Sequence, residues 1–97
     1  MYGLITRVTA KPGQREVLAQ LLIGGLSHRP GCLIYVVAED PQSSADLWVT
    51  EVWVDEAAHK ASLTAPEIKA FTIRGWPMVA GMEDSVITRP LGGLGLD

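Results

Sequence analysis

Glu51 and Trp53 combine an acid and an aromatic surface on one predicted strand. Because side chains alternate between the two faces of a strand, residues two positions apart lie on the same face. A carboxyl group enclosed by apolar walls holds a proton more readily than one in water, and it can serve as a general base. The alternative for Glu51 is a structural ion pair with Arg7 or Arg74. The indole of Trp53 offers a flat wall and one N–H donor, or it is simply part of the core.

Two other side chains could add polar groups to a pocket beside Glu51 and Trp53. A histidine titrates near neutral pH, so His59 can act as a base if it faces a pocket; a solvated helix residue is the alternative. Tyr35 either directs its hydroxyl into the pocket or packs as a strand aromatic. The single thiol, Cys32, is interpreted as a small buried hydrophobe, and His28 is assigned no role.

Charge and composition exclude several classes of partner. The 97 residues include 8 Lys+Arg and 11 Asp+Glu, a formal net charge of -3, whereas nucleic-acid binding needs a clustered basic face. The apolar stretches are too short to cross a bilayer, and the N-terminus does not resemble a signal peptide. One cysteine cannot form an intramolecular disulfide. We therefore expect a cytoplasmic protein that binds neither nucleic acid nor membrane.

No residue spacing in the sequence is typical of a metal or cofactor site. The two histidines, His28 and His59, lie far apart and outside any Cys/His or His/carboxylate ligand spacing. No Gly-x-Gly-x-x-Gly follows a predicted strand, and the glycines of residues 92–95 have no helix after them. We therefore expect neither a metal nor a cofactor.

Hydrophobic periodicity predicts the elements that position these residues. Strands are expected over residues 2–10, 32–39, 47–54 and 82–91. A first helix starts near Gln14, and its apolar face includes Val17 and Leu18. With two further helical segments the order is β-α-β-β-α-β, an α+β ferredoxin-like fold with an antiparallel sheet. We expect one domain over residues 1–97, with a glycine-rich tail at residues 92–97.

Local signals place the ends of the later helices. Asp55 is a good N-cap for a short helix that ends near Leu63. Pro66 suits the first turn of the next helix, which directs Phe71 inward. That helix must stop or kink before Pro77, because proline cannot continue the hydrogen-bond ladder.

Both faces of the predicted sheet are apolar. The strand over residues 32–39 places Ile34 and Val36 on one side and Tyr35 and Val37 on the other. Helices cover one face of a ferredoxin-like sheet, so the second apolar row needs another cover. Burial of several such side chains, at roughly 1.5–3 kcal/mol each, favours a homodimer of two facing sheets.

Short motifs in a fixed order resemble the antibiotic biosynthesis monooxygenase family of dimeric α/β-barrel proteins. The resemblance covers about residues 2–90. Its motifs are Ala10-Lys11-Pro12-Gly13, Pro30-Gly31-Cys32-Leu33-x-Tyr35, Glu51-x-Trp53-x-Asp55-Glu56-Ala57-Ala58 and Ala65-Pro66-x-x-x-Ala70-Phe71. The family implies a homodimer whose sheets face each other, and a pocket between the helices and the sheet of each subunit.

The resemblance also implies roles for single residues. Trp53 matches a tryptophan that lines the pocket of the family's monooxygenases. Arg74 lies near a helix arginine that can steady an anionic substrate or peroxide; a surface arginine is the commoner alternative. Val49 stands where the quinone-forming oxygenases carry asparagine, which argues against their particular reaction. Haem-degrading members use asparagine and histidine near the positions of Thr6 and Thr72, which argues against haem.

These observations predict a cofactor-independent monooxygenase for a small electron-rich aromatic or enolic substrate. The candidate catalytic residues are Trp53, Glu51, His59 and Arg74. The candidate substrate-binding residues are Thr6, Tyr35, Val49 and Phe71. The alternative is a non-oxidative, isomerase-like or small-molecule-binding protein on the same dimeric scaffold, which Val49 and the few polar pocket residues favour.

Overall fold

The computed structural model describes residues 1–96. Within this range one antiparallel sheet has the strand order β2-β3-β1-β4. Its strands are β1 (Tyr2–Ala10), β2 (Cys32–Glu39), β3 (Asp46–Trp53) and β4 (Val79–Thr88), and the helices are α1 (Arg15–Leu26), α2 (Glu56–Thr64) and α3 (Pro66–Gly75). The predicted α+β ferredoxin-like fold is therefore confirmed.

The strand bounds agree with the prediction in β1 and β2 and differ in β3 and β4. β3 begins and ends one residue earlier than predicted, and β4 ends at Thr88 rather than Leu91. β4 begins at Val79 rather than Met82, because the last residue of β1, Ala10, pairs with Val79 as soon as a 3-10 turn (Trp76–Met78) ends. Residues 89–96 form no strand or helix, and Asp97, the end of the predicted tail, lies outside the described residues.

The helix ends follow the predicted signals. Asp55 is extended and its Oδ1 accepts a hydrogen bond from the Ala58 N–H at 2.8 Å, which confirms the N-cap of α2. Pro66 occupies the first turn of α3, and α3 ends at Gly75, before Pro77. The prediction that Val17 lies on the buried face of α1 is wrong.

The apolar stripe of α1 is narrower than its sequence suggests. Leu18 is 1% exposed, whereas Val17 is 54% exposed. Successive helical residues are about 100° apart, so a stripe centred on Leu18 and Leu22 turns Val17 away from the sheet.

The helices pack on one side of the sheet. α1 contacts β1, β2 and β3, α2 contacts β3, and α3 packs against α1 and α2. We call this side the covered face; its core consists of Val8, Ala10, Leu18, Leu47 and Val49. The opposite side, the open face, carries Ile5, Arg7, Val36, Trp48 and Val86. No helix in the part of the chain described here has the length and apolar character to span a bilayer.

Candidate functional site

A cavity of about 410 Å³ lies between the covered face and the helices. Side chains from every strand and from α1, α2 and α3 line it. Its apolar walls include Leu4, Val8, Leu18, Leu22, Ile68 and Phe71. A space of this size and apolar character suits a small organic ligand.

Four polar side chains on the cavity wall form what we call the polar cluster: Arg29, Tyr35, Glu51 and His59. The hairpin register brings them together, because Tyr35 of β2 pairs with Glu51 of β3. His59 lies on α2, one helical turn after the Asp55 cap. A second polar contact on the wall joins the Oγ atoms of Thr6 and Ser85 at 3.1 Å.

Glu51 is an ion-pair partner of Arg29. Its Oε1 accepts from Arg29 Nη2 at 3.2 Å and from Trp53 Nε1 at 3.1 Å. The Glu51 and Arg29 side chains are 14% and 8% exposed. The interpretation of Glu51 as part of an ion pair is thus correct in kind, but its predicted partners, Arg7 and Arg74, are wrong.

Arg29 connects three elements from the loop between α1 and β2. Its Nε donates to the Leu26 carbonyl at 3.1 Å, and its Nη1 donates to Ser62 Oγ on α2 at 3.0 Å. The guanidinium carbon lies 4.6 Å from the ring centroid of Trp53 and 5.4 Å from that of Tyr35. Hydrogen bonds together with cation–π contacts hold this cation in one place.

Trp53 lies behind the polar cluster rather than in front of it. Its side chain is fully buried, and it is absent from the cavity lining. Its Nε1 donates to Glu51, and the His59 ring meets it edge-on with 5.3 Å between centroids. The geometry agrees with the interpretation of Trp53 as a core residue, and it shows that the indole supports two cavity-lining side chains.

The surroundings of His59 favour its neutral form. Burial, and to a smaller degree the charge of Arg29, lower the pKa of His59, whereas Glu51 and Glu56 oppose the shift. Its ring lies between Trp53 and Tyr2, 5.6 Å from the Tyr2 centroid. A neutral imidazole on a cavity wall can accept a proton from a ligand.

Tyr35 and Cys32 are held in their protonated forms. Burial, followed by the charge of Glu51, raises the pKa of Tyr35, so its hydroxyl is a hydrogen-bond donor or acceptor rather than a base. Burial also raises the pKa of the Cys32 thiol, whose Sγ donates to the Ile34 carbonyl at 3.4 Å. Neither group has the character of an activated nucleophile.

The candidate residues divide clearly by position. Glu51, His59 and the four candidate substrate-binding residues line the cavity: Thr6, Tyr35, Val49 and Phe71. Arg74 does not; it is exposed near the end of α3. In residues 1–96 no three His, Cys, Asp or Glu side chains come close enough together to hold a metal ion.

Arg29 is the functional-site residue that sequence reasoning missed. One signal could have found it, namely the hairpin register, in which Cys32 pairs with Trp53. That register places the loop before β2 beside Glu51, so a cation in the loop is available to an acid on the covered face.

Solved structures resemble this chain over almost its full length. A "putative Antibiotic biosynthesis monooxygenase" from Chloroflexus aurantiacus is 44% identical, with a TM-score of 0.93 over 99% of this chain and 98% of that one. A protein of the same description from Deinococcus radiodurans is 21% identical, with a TM-score of 0.78 over 96% and 95%. A conserved protein from Methanosarcina mazei is 20% identical, with a TM-score of 0.76 over 91% and 90%. The last two show the fold alone.

Two further comparisons concern the sequence itself. No protein with curated annotation matches the chain significantly. The family model for antibiotic biosynthesis monooxygenase matches residues 1–72. Together with the 44% identity to the Chloroflexus protein, this match shows that the chain belongs to the antibiotic biosynthesis monooxygenase family.

Proposed function

We propose that the protein is a cofactor-independent monooxygenase for a small electron-rich aromatic or enolic substrate bound in the cavity. One observation carries the proposal: a polar cluster sits on the wall of an otherwise apolar cavity. The apolar walls suit aromatic rings, and the cluster supplies a proton acceptor and hydrogen-bond donors at one place. Family membership supports the same reaction class.

The reaction begins with removal of a proton from the substrate. The resulting phenolate or enolate is electron-rich, and it passes an electron to dioxygen. For an activated methylene the net change is R₂CH₂ + O₂ → R₂C=O + H₂O, so one oxygen atom enters the product and the other leaves as water. The protein has to exclude water, hold the base and stabilise the developing oxyanion.

The geometry favours His59 as the base, because its imidazole is neutral and lines the cavity. Glu51 is the alternative base. The proposal assigns stabilisation of the oxyanion to the Tyr35 hydroxyl, while Thr6, Val49 and Phe71 contribute to the cavity walls. Trp53 holds Glu51 and His59 from behind, and the proposal gives Arg74 no role.

Oxygen uptake with a panel of dihydroxyaromatic and anthrone-like compounds tests the proposal. We expect uptake with at least one compound, and one labelled atom in the product when ¹⁸O₂ is used. His59→Gln is expected to lower kcat by about 10²–10⁴, the usual contribution of a general base. The control is His28→Gln, the same substitution at an exposed histidine, which is expected to leave kcat unchanged.

A non-oxidative role is the second candidate. Val49 adds an apolar side chain to the cavity lining, and the ion pair with Arg29 engages one oxygen of Glu51, so the cavity has few polar groups for catalysis. Binding of aromatic ligands without oxygen uptake by any compound would favour this candidate over the oxygenase.

We also propose that the protein is a cytoplasmic homodimer joined through the open faces. Val36 and Val86 of the open face are 49% and 51% exposed, and burial of such side chains favours association. Sedimentation is expected to give about twice 10.4 kDa. Val36→Glu should yield monomers, whereas Val17→Glu, at an exposed valine of α1, should not; a native monomer in dilute buffer would contradict the dimer.

A further inference from the structure

The Glu51 carboxylate of the Arg29–Glu51 pair offers an acceptor to the cavity. Three of the five N–H groups of Arg29, one on each guanidinium nitrogen, donate to the Leu26 carbonyl, Ser62 Oγ and Glu51 Oε1. Both hydrogen bonds to the Glu51 carboxylate fall on Oε1, and no described residue donates to Oε2. Glu51 is part of the cavity lining.

The pair differs from one that serves packing alone. Buried arginine and carboxylate groups commonly form two parallel hydrogen bonds, which use both carboxylate oxygens. Here a single contact at 3.2 Å joins Arg29 to Glu51, and Trp53 takes the second bond to the same oxygen. The second oxygen of a side chain that is only 14% exposed is left for a partner from the cavity.

We propose that the cavity selects an uncharged ligand with a hydroxyl donor, which donates to Glu51 Oε2, and that Arg29 is the positioning residue for this oxygen. The inference rests on the proposed function only in taking the same cavity as the substrate site. A ligand carboxylate brings a second negative charge beside Glu51, where the nearby cation is already shared. It also lacks the proton that Oε2 accepts.

Three naphthalene derivatives separate these properties: 2-naphthol donates a hydrogen bond, 2-methoxynaphthalene only accepts, and 2-naphthoate is anionic. Dissociation constants are measured by calorimetry without oxygen. Native protein is expected to bind 2-naphthol at least about tenfold more tightly than either of the others, since a hydrogen bond to a charged group is worth that factor or more.

Glu51→Gln is the first variant, because the glutamine oxygen still accepts from Arg29 and Trp53 and the fold is retained. Its amide nitrogen replaces the free acceptor with a donor. The preference for 2-naphthol is expected to fall below about threefold, and 2-naphthoate to bind about tenfold more tightly than it does to native protein.

Arg29→Lys tests positioning, because lysine keeps the charge but loses the planar fork. We expect a weaker preference for 2-naphthol with little change in the affinity for 2-methoxynaphthalene. A variant with a generally less ordered cavity would instead bind both ligands more weakly. Lys69→Gln removes an exposed charge from α3 and is expected to keep the native preference. Thermal unfolding by circular dichroism verifies that each variant is folded.

Three results would overturn the inference: native protein that binds 2-naphthoate as tightly as 2-naphthol, native protein that binds no 2-naphthol, or an unchanged preference in folded Glu51→Gln. The outcome is separate from that of the oxygenase proposal. Selective binding of 2-naphthol without oxygen uptake by any compound rejects the oxygenase alone. Oxygen uptake without the ligand preference rejects this inference alone.

Discussion

The same three kinds of side chain meet at each of the two faces of β3, in different surroundings. On the covered face, Arg29 lies 4.6 Å from the Trp53 ring centroid, and the indole donates to Glu51. On the open face, Arg7 lies 5.8 Å from the Trp48 ring centroid, and that indole donates to Asp40 at 3.1 Å. An arginine, a tryptophan and a carboxylate thus meet twice on one sheet.

Burial distinguishes the two groups. The ion pair between Arg7 Nη2 and Glu83 Oε2 is 3.0 Å long, but its side chains are 29% and 64% exposed. The pair between Arg29 and Glu51 is no shorter, yet its side chains are almost buried and border a cavity. In a single subunit, solvent screens the first pair, whereas the second has a high cost if it is broken. Residue type alone therefore does not identify the functional face.

The largest expected difference between the faces is in stability. Arg29→Met leaves the Glu51 carboxylate nearly buried without its cation, which should lower the free energy of unfolding by about 3–5 kcal/mol. Arg7→Met breaks a 3.0 Å pair with the exposed Glu83, which should cost about 1 kcal/mol or less, and a longer contact of 3.8 Å with the less exposed Asp46. Urea unfolding of the two variants measures both values. Equal losses would show that burial does not separate the two groups.

A smaller effect should come from the space that the helices enclose over the covered face. A Cβ added to Gly25 of α1 would overlap the Phe71 ring, whereas one added to Gly24 meets nothing within 4 Å. Gly25→Ala should push Phe71 towards the cavity and weaken binding of a two-ring aromatic by about tenfold, since overpacking costs roughly 1–3 kcal/mol.

Gly24→Ala is the matched control, because it places the same methyl group on the same helix. It should leave ligand affinity unchanged and stabilise α1 by up to about 1 kcal/mol. Calorimetry with one-ring and two-ring ligands measures the effect on affinity. If the two alanine variants bind a two-ring ligand equally well, the contact between Gly25 and Phe71 does not set the cavity's shape.

The smallest effect is a pH dependence that belongs to the covered face. Burial lowers the pKa of His59 below its ordinary value of 6.5, so the unfolded chain binds a proton more readily than the folded protein. Stability should therefore decrease as the pH falls through the ordinary value, and level off below the folded value. His59→Gln should flatten this part of the curve of unfolding free energy against pH.

His28→Gln provides the comparison for that curve, because His28 is exposed. Urea unfolding between pH 5 and 8 measures both variants under the same conditions. The prediction is wrong if the dependence of the unfolding free energy on pH persists in His59→Gln and disappears in His28→Gln.

Patterns within a segment were sufficient to predict most of the fold. The pattern of residues 2–10 and the apolar run of residues 32–39 predicted two strands at their observed bounds, since such patterns are local. Asp55 and Pro66 predicted the starts of α2 and α3 because capping depends on adjacent residues. The start of β4 was missed because pairing between Ala10 and Val79 decides it, and that contact joins distant parts of the chain.

Only the part of the site that follows from alternation of side chains along a strand was predictable. Residues two apart on β3 share a face, so Glu51 and Trp53 were expected on the same face, and Trp53 Nε1 donates to Glu51 there. The partner of Glu51 was not predictable from spacing, because Arg29 reaches it from a loop without regular structure. Arg74 does not line the cavity, because Ile68, Phe71 and Gly75 take the buried stripe of α3 and leave Arg74 exposed.

The pairing of β3 with both of its neighbours has a consequence for how this chain can change in evolution. Because successive side chains point to opposite faces, inserting or deleting one residue within residues 46–53 would move Glu51 out of the cavity and turn Thr50 or Val52 into it. The loop at residues 40–45 imposes no such parity. Insertions and deletions among descendants of this protein should therefore occur in that loop, whereas residues of the adjacent strand should change by substitution only.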